Sequence, residues 1–208
     1  VGWNAISCMR RQECWTGQHH LCAETQPTIV GHHGGFAERV RAHWIWVIPL
    51  PDKLDKSVAG PLLCGGITVF APLRIFEVKP TDRVGVVGIG GLGHLALQFA
   101  HAWGCEVIAF TSSPAKAEEA HKFGAYHSVS SRDGNEISKL ANTLDFLLIT
   151  VNIPLDWSLL LKTLKPNGRM HIVGAVLESM PIQAFDLIMG QKSISGSPTG
   201  GPVMTATM

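Results

Sequence analysis

The sequence predicts an α/β fold, a doubly wound sheet of six parallel strands preceded by a shorter region of irregular β structure. Three observations predict it. From residue 56 onward, short apolar runs suited to strands buried on both faces alternate with helical stretches, the pattern of βαβ winding. Before residue 56 the texture differs: His, Cys, Gly and Trp are frequent, and Gly34-Gly35 and Pro49-Leu50-Pro51 bound short alternating runs, Phe36 to Val40 and Trp44 to Ile48. The first apolar run of the second part leads through a glycine-rich turn into a helix. The domains expected are therefore 1–55 and 56–208.

The six strands follow in order: Val84 to Gly88, Glu106 to Phe110, His127 to Ser130, Phe146 to Thr150, Arg169 to Gly174 and Ser193 to Gly196. Helices are expected between them at His94 to Trp103, Ala115 to Phe123, Glu136 to Asn142, Leu155 to Leu164 and Ile182 to Gly190. Trp103-Gly104 and Phe123-Gly124 put glycine where a helix C-terminus favours it, and Pro166-Asn167-Gly168 reads as a turn. Trp3, Trp44 and Trp46 are expected to pack the first region, and Trp157 the outside of a helix. Cys105 reads as a buried core thiol, and His32 and His33 as surface residues.

Composition narrows the function classes. The 208 residues are 46% hydrophobic, enough to bury a core. Seventeen Lys and Arg against sixteen Asp and Glu leave a formal charge of +1, so no broad field is available to hold nucleic acid or an anionic membrane. A nucleic-acid contact through residues 8–22, with Arg10, Arg11, His19 and His20 as its basic face, is disfavoured on that ground. No apolar run reaches the roughly 20 residues of a bilayer crossing, and no secretory leader pattern opens the chain. The expectation is a soluble, cytoplasmic protein. The start at Val1, inside an apparent strand, and the uncapped end at Met208 read as a truncated chain.

Val84 to His94 carries the chemistry of the second part. An apolar strand runs into Gly88-Ile89-Gly90-Gly91-Leu92-Gly93, a Gly-x-Gly-x-x-Gly spacing, and then a helix. Gly88 permits a tight turn, Gly90 lets a pyrophosphate approach the backbone, Gly93 lets the helix pack close to the strand, and the helix N-terminus offers N–H groups to phosphate. This is the signature of a Rossmann dinucleotide-binding domain. At the end of the second strand, where an Asp or Glu would take a ribose 2'-hydroxyl, the chain reads Phe110-Thr111-Ser112-Ser113-Pro114-Ala115-Lys116. The absence of an acid, with Ser112, Ser113 and the cation of Lys116 in its place, suits the 2'-phosphate of NADP(H). The alternative is that Ser113-Pro114 caps the next helix and Lys116 is a solvated charge. His94, in the first helical turn, is expected to pack and hydrogen-bond.

Three of the five cysteines, Cys8, Cys14 and Cys22, crowd into one loop region. This suits a metal site better than a disulfide framework. A structural zinc takes four ligands in a tetrahedron, so three cysteines need a fourth donor from His19, His20, Glu13 or water, and Arg11 between Cys8 and Cys14 cannot ligate. Free thiols without metal are the other reading.

Taken together, Gly31 to Ala37, Ala59 to Val69, Gly88 to His94, Gly174 to Val176 and Ser195 to Ser197 resemble the zinc-dependent medium-chain alcohol dehydrogenases, in the branch of the cinnamyl alcohol dehydrogenases and bacterial NADPH-dependent aldehyde reductases. The resemblance implies that residues 1–55 are the end of a GroES-like catalytic domain with its structural-zinc lobe. It implies that Cys64 is one of three protein ligands to a catalytic zinc, the others lying upstream of Val1. It matches Cys8, Cys14 and Cys22 to three of four structural-zinc thiolates, with Arg11 where the fourth is expected. Gly88, Gly90, Gly91 and Leu92 match the pyrophosphate loop, and Ser112, Ser113 and Lys116 the 2'-phosphate contacts. Thr68, Val151, Gly174, Ala175, Val176, Ser195, Gly196 and Ser197 match the wall around the nicotinamide. The implied activity is interconversion of primary alcohols and aldehydes with NADP(H). A full-length protein is expected to act as a homodimer through the segment near Ser193 to Ser197, and the chain as given to be inactive. The rival expectation is a non-catalytic NADP(H)-binding fragment.

Overall fold

A computed structural model describes residues 2–208. The chain separates into two compact units, one running through Ala71 and including Pro198–Met208, the other Pro72–Ser197. The division thus falls inside a helix rather than in the turn-rich stretch around residue 55, and the last eleven residues return to the first unit.

The second unit is built on a six-stranded parallel sheet. Its strands are β3 (Arg83–Val87), β4 (Glu106–Thr111), β5 (His127–Ser130), β6 (Leu144–Ile149), β7 (Leu164–Ile172) and β8 (Ser193–Gly196), in the order β5-β4-β3-β6-β7-β8. That order reverses direction beside β3, the switch point at which doubly wound sheets bind their ligands. All six expected strands are present: β3, β4 and β6 are apolar runs buried on both faces, while the edge strands β5 and β8 are short, more polar and only partly buried. Pairing of Val84 with Val107 and with Phe146 sets the central register.

Five helices connect these strands, and three of them, α5 to α7, start at a side-chain cap. α4 (Gly93–Trp103) ends at Gly104, whose φ of 99° gives the left-handed cap. α5 (Pro114–Lys122) starts at Ser113, α6 (Gly134–Ser138) at Asp133 and α7 (Trp157–Thr163) at Asp156, each side chain accepting a backbone N–H of the first turn. α8 (Ala184–Ile188) precedes β8. The Asp133 cap moves α6 two residues ahead of the expected start.

Two expectations in this unit are corrected. Pro166-Asn167-Gly168 is not a free turn but a bulge within β7: Leu164 pairs with Leu144 and Arg169 with Phe146, so the residues between face Asp145 alone. Lys165 holds that bulge through an ion pair to Asp145 at 2.7 Å. Trp157, expected outside its helix, is 1% exposed and packs with Leu160, Leu161, Ile137, Ile149 and Phe110 in the core. Asp156 caps the first turn of α7, its carboxylate accepting the Leu159 N–H at 2.9 Å.

The first unit is irregular. A short antiparallel pair, β1 (Asn4–Ile6) with β2 (Gln26–Pro27), brackets the cysteine loop, which contains the one-turn α1 (Gln12–Trp15) and a 3-10 turn at His19–Leu21. The alternating runs Phe36 to Val40 and Trp44 to Ile48 are not strands. Trp44–Trp46 is a 3-10 turn closed by Trp46 N–H to the His43 carbonyl at 2.9 Å, Phe36 is fully exposed, and among the described residues neither run pairs with a strand. Of the three tryptophans expected to pack this unit, only Trp46 is buried, edge-on to the His19 ring at 6.2 Å. Trp44 is exposed and Trp3 partly so. A helical stretch follows in three pieces: α2 (Ala59–Pro61), a wider π turn at Leu62–Gly66, and α3 (Ile67–Ile75). α9 (Pro202–Thr205) closes the unit. Among the described residues no helix is long and apolar enough to cross a membrane.

Replacing Trp157 by Ala is expected to lower unfolding stability by about 3–5 kcal/mol through the cavity it leaves. A urea midpoint within error of the parent would place Trp157 outside the core.

Candidate functional site

At the carboxyl ends of β3, β6, β7 and β8 the sheet brings together four segments far apart in sequence. The first is the turn after β3. Gly88 has a φ of 90°, in the left-handed region that a side chain avoids, and a Cβ there would overlap the Val151 side chain. A Cβ at Gly93 would overlap the Gly88 carbonyl. These two glycines are required by the protein itself, since they let α4 descend onto the end of β3. Gly90 and Gly91 differ, because a Cβ at either meets nothing within 4 Å.

Thr150, at the end of β6, fastens this turn. Its hydroxyl lies 2.9 Å from the Val87 carbonyl and 2.8 Å from that of Gly88, and its N–H donates to Val87 at 3.1 Å. Gly174, after β7, sits so close to the Val151 backbone that a Cβ would overlap it. Val176 N–H donates to the Gly174 carbonyl at 3.0 Å, turning Gly174-Ala175-Val176 across the sheet end. Ser197 N–H donates to Ile172 at 3.2 Å, which sets Ser195-Gly196-Ser197 alongside.

α4 begins without a side-chain cap: Leu92 stands at its N-cap position and accepts nothing. α5, α6 and α7 are each capped. An uncapped N-terminus carries unpaired N–H groups and a partial positive charge, which a phosphate satisfies. With the open space above Gly90 and Gly91, this turn fits the pyrophosphate of a dinucleotide. His94 bonds through Nδ1 to the Gly90 carbonyl at 2.9 Å and packs on Phe123, in keeping with a structural role.

At the end of β4, Ser112 and Lys116 are exposed and Ser113 half-buried. Ser113 also caps α5, accepting the Lys116 N–H at 3.5 Å, so the capping alternative describes a bond this serine makes. That bond is at the long limit and engages only the hydroxyl's acceptor side, leaving its proton available.

Two residues at these strand ends carry functions that sequence reasoning did not assign. Thr150 is one. His171 is the other: on β7, 1% exposed, it bonds through Nδ1 to the Ser195 hydroxyl and through Nε2 to the Ser197 hydroxyl, both at 2.9 Å. Its ring packs on Phe76 at 4.9 Å and stacks on Phe146, and the Arg169 guanidinium lies 4.1 Å from the Phe76 ring centre. A signal for it existed, a histidine inside an otherwise buried strand.

In the first unit, Cys64 sits in the π turn and its side chain is exposed, unlike a core cysteine. Thr68 is buried and donates its hydroxyl to the Cys64 carbonyl at 2.7 Å, within its own helix. Among the described residues no group of three metal-binding side chains includes Cys64, so the residues present do not make a catalytic metal centre.

Cys8, Cys14 and Cys22 do converge. The Cys8 sulfur is 3.9 Å from that of Cys14 and 3.4 Å from that of Cys22, and all three lie within 4.8 Å of one another. Zinc–sulfur bonds of about 2.3 Å in a tetrahedron place sulfurs about 3.8 Å apart, so the triangle fits three corners of a zinc site. The Arg10 backbone N–H beside its sulfur holds the Cys8 thiol down at about 7, whereas burial raises Cys14. Arg11 pairs with Glu24 at 2.7 Å, as does Arg10 at 2.8 Å. Cys105 is buried, and burial pushes its thiol up to about 11; His32 and His33 are exposed.

Burial, and then the charge of Arg169, depress His171 from 6.5 to about 4. The folded chain therefore holds it neutral while the unfolded chain protonates near 6.5. The stability it contributes is complete above pH 6.5 and is lost as pH falls through 4, roughly 3 kcal/mol in all. Urea unfolding of the parent and of His171→Gln at pH 7.0 and 4.5 checks this: the parent should lose more stability than the variant, and equal losses contradict it.

Comparison with known proteins agrees with this architecture. Residues 91–208 match the family described as zinc-binding dehydrogenase. An aldehyde reductase of Synechocystis, AdhA, is 50% identical over all 208 residues, which cover 62% of that protein. The fold superposes on a cinnamyl alcohol dehydrogenase of Sorghum bicolor, SbCAD4, with a TM-score of 0.90 at 32% identity, covering all of this chain and 62% of that one. It matches the Helicobacter pylori cinnamyl alcohol dehydrogenase complexed with NADP(H) with a TM-score of 0.88 at 30% identity, again over the whole chain and 62% of the other. The chain thus spans about 62% of the length of these relatives, and it belongs to the zinc-binding dehydrogenase family, in the cinnamyl alcohol dehydrogenase and aldehyde reductase branch of the medium-chain alcohol dehydrogenases.

Proposed function

We propose that this chain is the cofactor-binding part, with a portion of the catalytic part, of an NADP(H)-dependent oxidoreductase that interconverts primary alcohols and aldehydes. The observation that carries the reading is the uncapped N-terminus of α4 beneath the open space of Gly90 and Gly91, where a Cβ would meet nothing within 4 Å. Gly88, Gly90, Gly91, Leu92 and Gly93 hold the pyrophosphate through backbone N–H groups. Ser112, Ser113 and Lys116 take the 2'-phosphate, which no carboxylate repels at the end of β4. Val151, Gly174, Ala175, Val176, Ser195, Gly196 and Ser197 hold the nicotinamide. When bound, the nicotinamide supplies the hydride that reduces the aldehyde.

Domain roles follow the same reading: residues 1–55 belong to the catalytic domain and 56–208 to the cofactor domain. Cys64 contributes one thiolate toward a catalytic zinc, its co-ligands lying in the part of the relatives' length that this chain does not span. One ligand cannot fix a metal ion's geometry, so the 208-residue chain binds NADP(H) without turning over substrate. That is the second reading, a binding fragment, and the isolation of Cys64 from other ligands favours it for this chain. A cytoplasmic protein that dimerises through the edge strand β8 completes the proposal.

Fluorescence titration of the chain with NADPH and NADH tests the cofactor assignment. NADPH should bind at least about tenfold more tightly, a difference of ~1.4 kcal/mol, and Lys116→Ala should narrow the gap. Equal affinity for the two cofactors overturns the roles of Ser112, Ser113 and Lys116. Gly90→Val should weaken NADPH binding by a similar factor or more while the urea midpoint is kept, because its Cβ enters open space in the free chain. NADPH oxidation with an aromatic aldehyde, measured on this chain and on one extended to the length of its relatives, separates enzyme from fragment: turnover is expected only in the extended chain, and none in either removes the dehydrogenase reading.

A further inference from the structure

Three sulfurs gathered at one point ask for a fourth donor, and the surroundings of the triangle say what kind. Zinc bound to protein thiolates is tetrahedral. Among the described residues no other His, Cys, Asp or Glu joins Cys8, Cys14 and Cys22, so neither Glu13 nor His19 nor His20 closes the site. His19 is engaged elsewhere, 2.9 Å from the Ser7 hydroxyl, and Glu24 is held by the guanidinium groups of both Arg10 and Arg11.

Charge then decides what occupies the remaining corner. Arg10 and Arg11 carry two positive charges against the one carboxylate of Glu24, leaving one positive charge beside the sulfurs. Both guanidinium groups lie near enough to Cys8 to act on its sulfur electrostatically. An arginine cannot ligate, but a guanidinium attracts a small anion and directs hydrogen bonds at it. Three thiolates on a dication sum to one negative charge, and the uncompensated arginine charge offsets it, so a further anion meets a locally neutral site rather than a repulsive one.

We propose that Cys8, Cys14 and Cys22 hold one zinc ion through three thiolates, and that its fourth position is open and exchangeable, taking a small monovalent anion drawn in by Arg11. The site is therefore a ligand-binding zinc centre in the first unit and not a closed structural one. The inference rests on the zinc reading of these cysteines and is independent of the nicotinamide assignments.

Cobalt substitution of the reduced chain, followed by azide titration, tests it, because the visible bands of tetrahedral cobalt report both thiolate ligation and the identity of a fourth ligand. One cobalt per chain should bind with thiolate charge-transfer absorption, and azide should shift the visible bands in a saturable way. In Arg11→Cys the fourth corner becomes a protein thiolate, and the azide response should vanish while cobalt stays bound. If the parent takes up no cobalt at one equivalent, the zinc reading itself fails. If it binds cobalt but ignores azide, the metal site stands and the open position is refuted. An azide response that arises only in Glu24→Gln identifies Glu24 as the fourth ligand and refutes it as well.

Discussion

The close approach of α4 to β3 is the constraint on which the second unit depends. Two backbone segments meet there with no room for a side chain, Gly88 turning into the left-handed region and Gly93 resting on its carbonyl. The contact aims the first turn of the helix at the sheet's switch point, and it is secured from the adjoining strand by a single threonine hydroxyl shared between two carbonyls. Everything else at the strand ends is placed relative to this turn: Val151 packs over Gly88, Gly174 lies on the Val151 backbone, and the β8 serines follow from the neighbouring register. A methyl group at either glycine would propagate through all of them, because the interior is close-packed and transmits strain.

Where the sequence was legible, local rules and global packing agreed. Val84 to Val87, Val107 to Phe110 and Phe146 to Ile149 are continuous apolar runs, and a parallel sheet covered on both faces is the one setting in which every residue of such a run is buried. The glycine spacing was legible for the same reason, since it encodes backbone proximity rather than side-chain contact. Failures came where tertiary context overrode a local pattern. Trp44 to Ile48 alternates like a strand, yet with no partner strand it closes on itself as a 3-10 turn around His43. Trp157 has the bulk to cover an exposed face, but the core cluster of the sheet and α7 encloses it. Pro166 to Gly168 has turn chemistry and uses it inside a strand, where an ion pair holds the bulge.

The candidate site was legible in its backbone part and less so in its polar supports. Glycines and terminal serines announce themselves through spacing, whereas Thr150 and His171 matter only through partners 62 and 26 residues away in sequence. His171 shows how such a residue persists in a core. A neutral imidazole has one donor and one acceptor, and the two serine hydroxyls satisfy both, so the buried ring leaves no polar atom unpaired. The same complementarity fixes the two hydroxyls in opposite senses, one giving a proton to the ring and the other receiving one.

Gly90 and Gly91 carry one more consequence. Neither has a positive φ, and nothing crowds either Cα, so the free protein derives no packing benefit from the missing side chains. Glycine nonetheless widens the conformational freedom of the unfolded chain, and at positions where alanine fits without strain that freedom is a thermodynamic burden of about 0.4–1 kcal/mol per residue. The turn is thus less stable than its backbone allows. Under the proposed cofactor reading, a version of this unit made more stable by filling those two positions with alanine would bind NADP(H) more weakly.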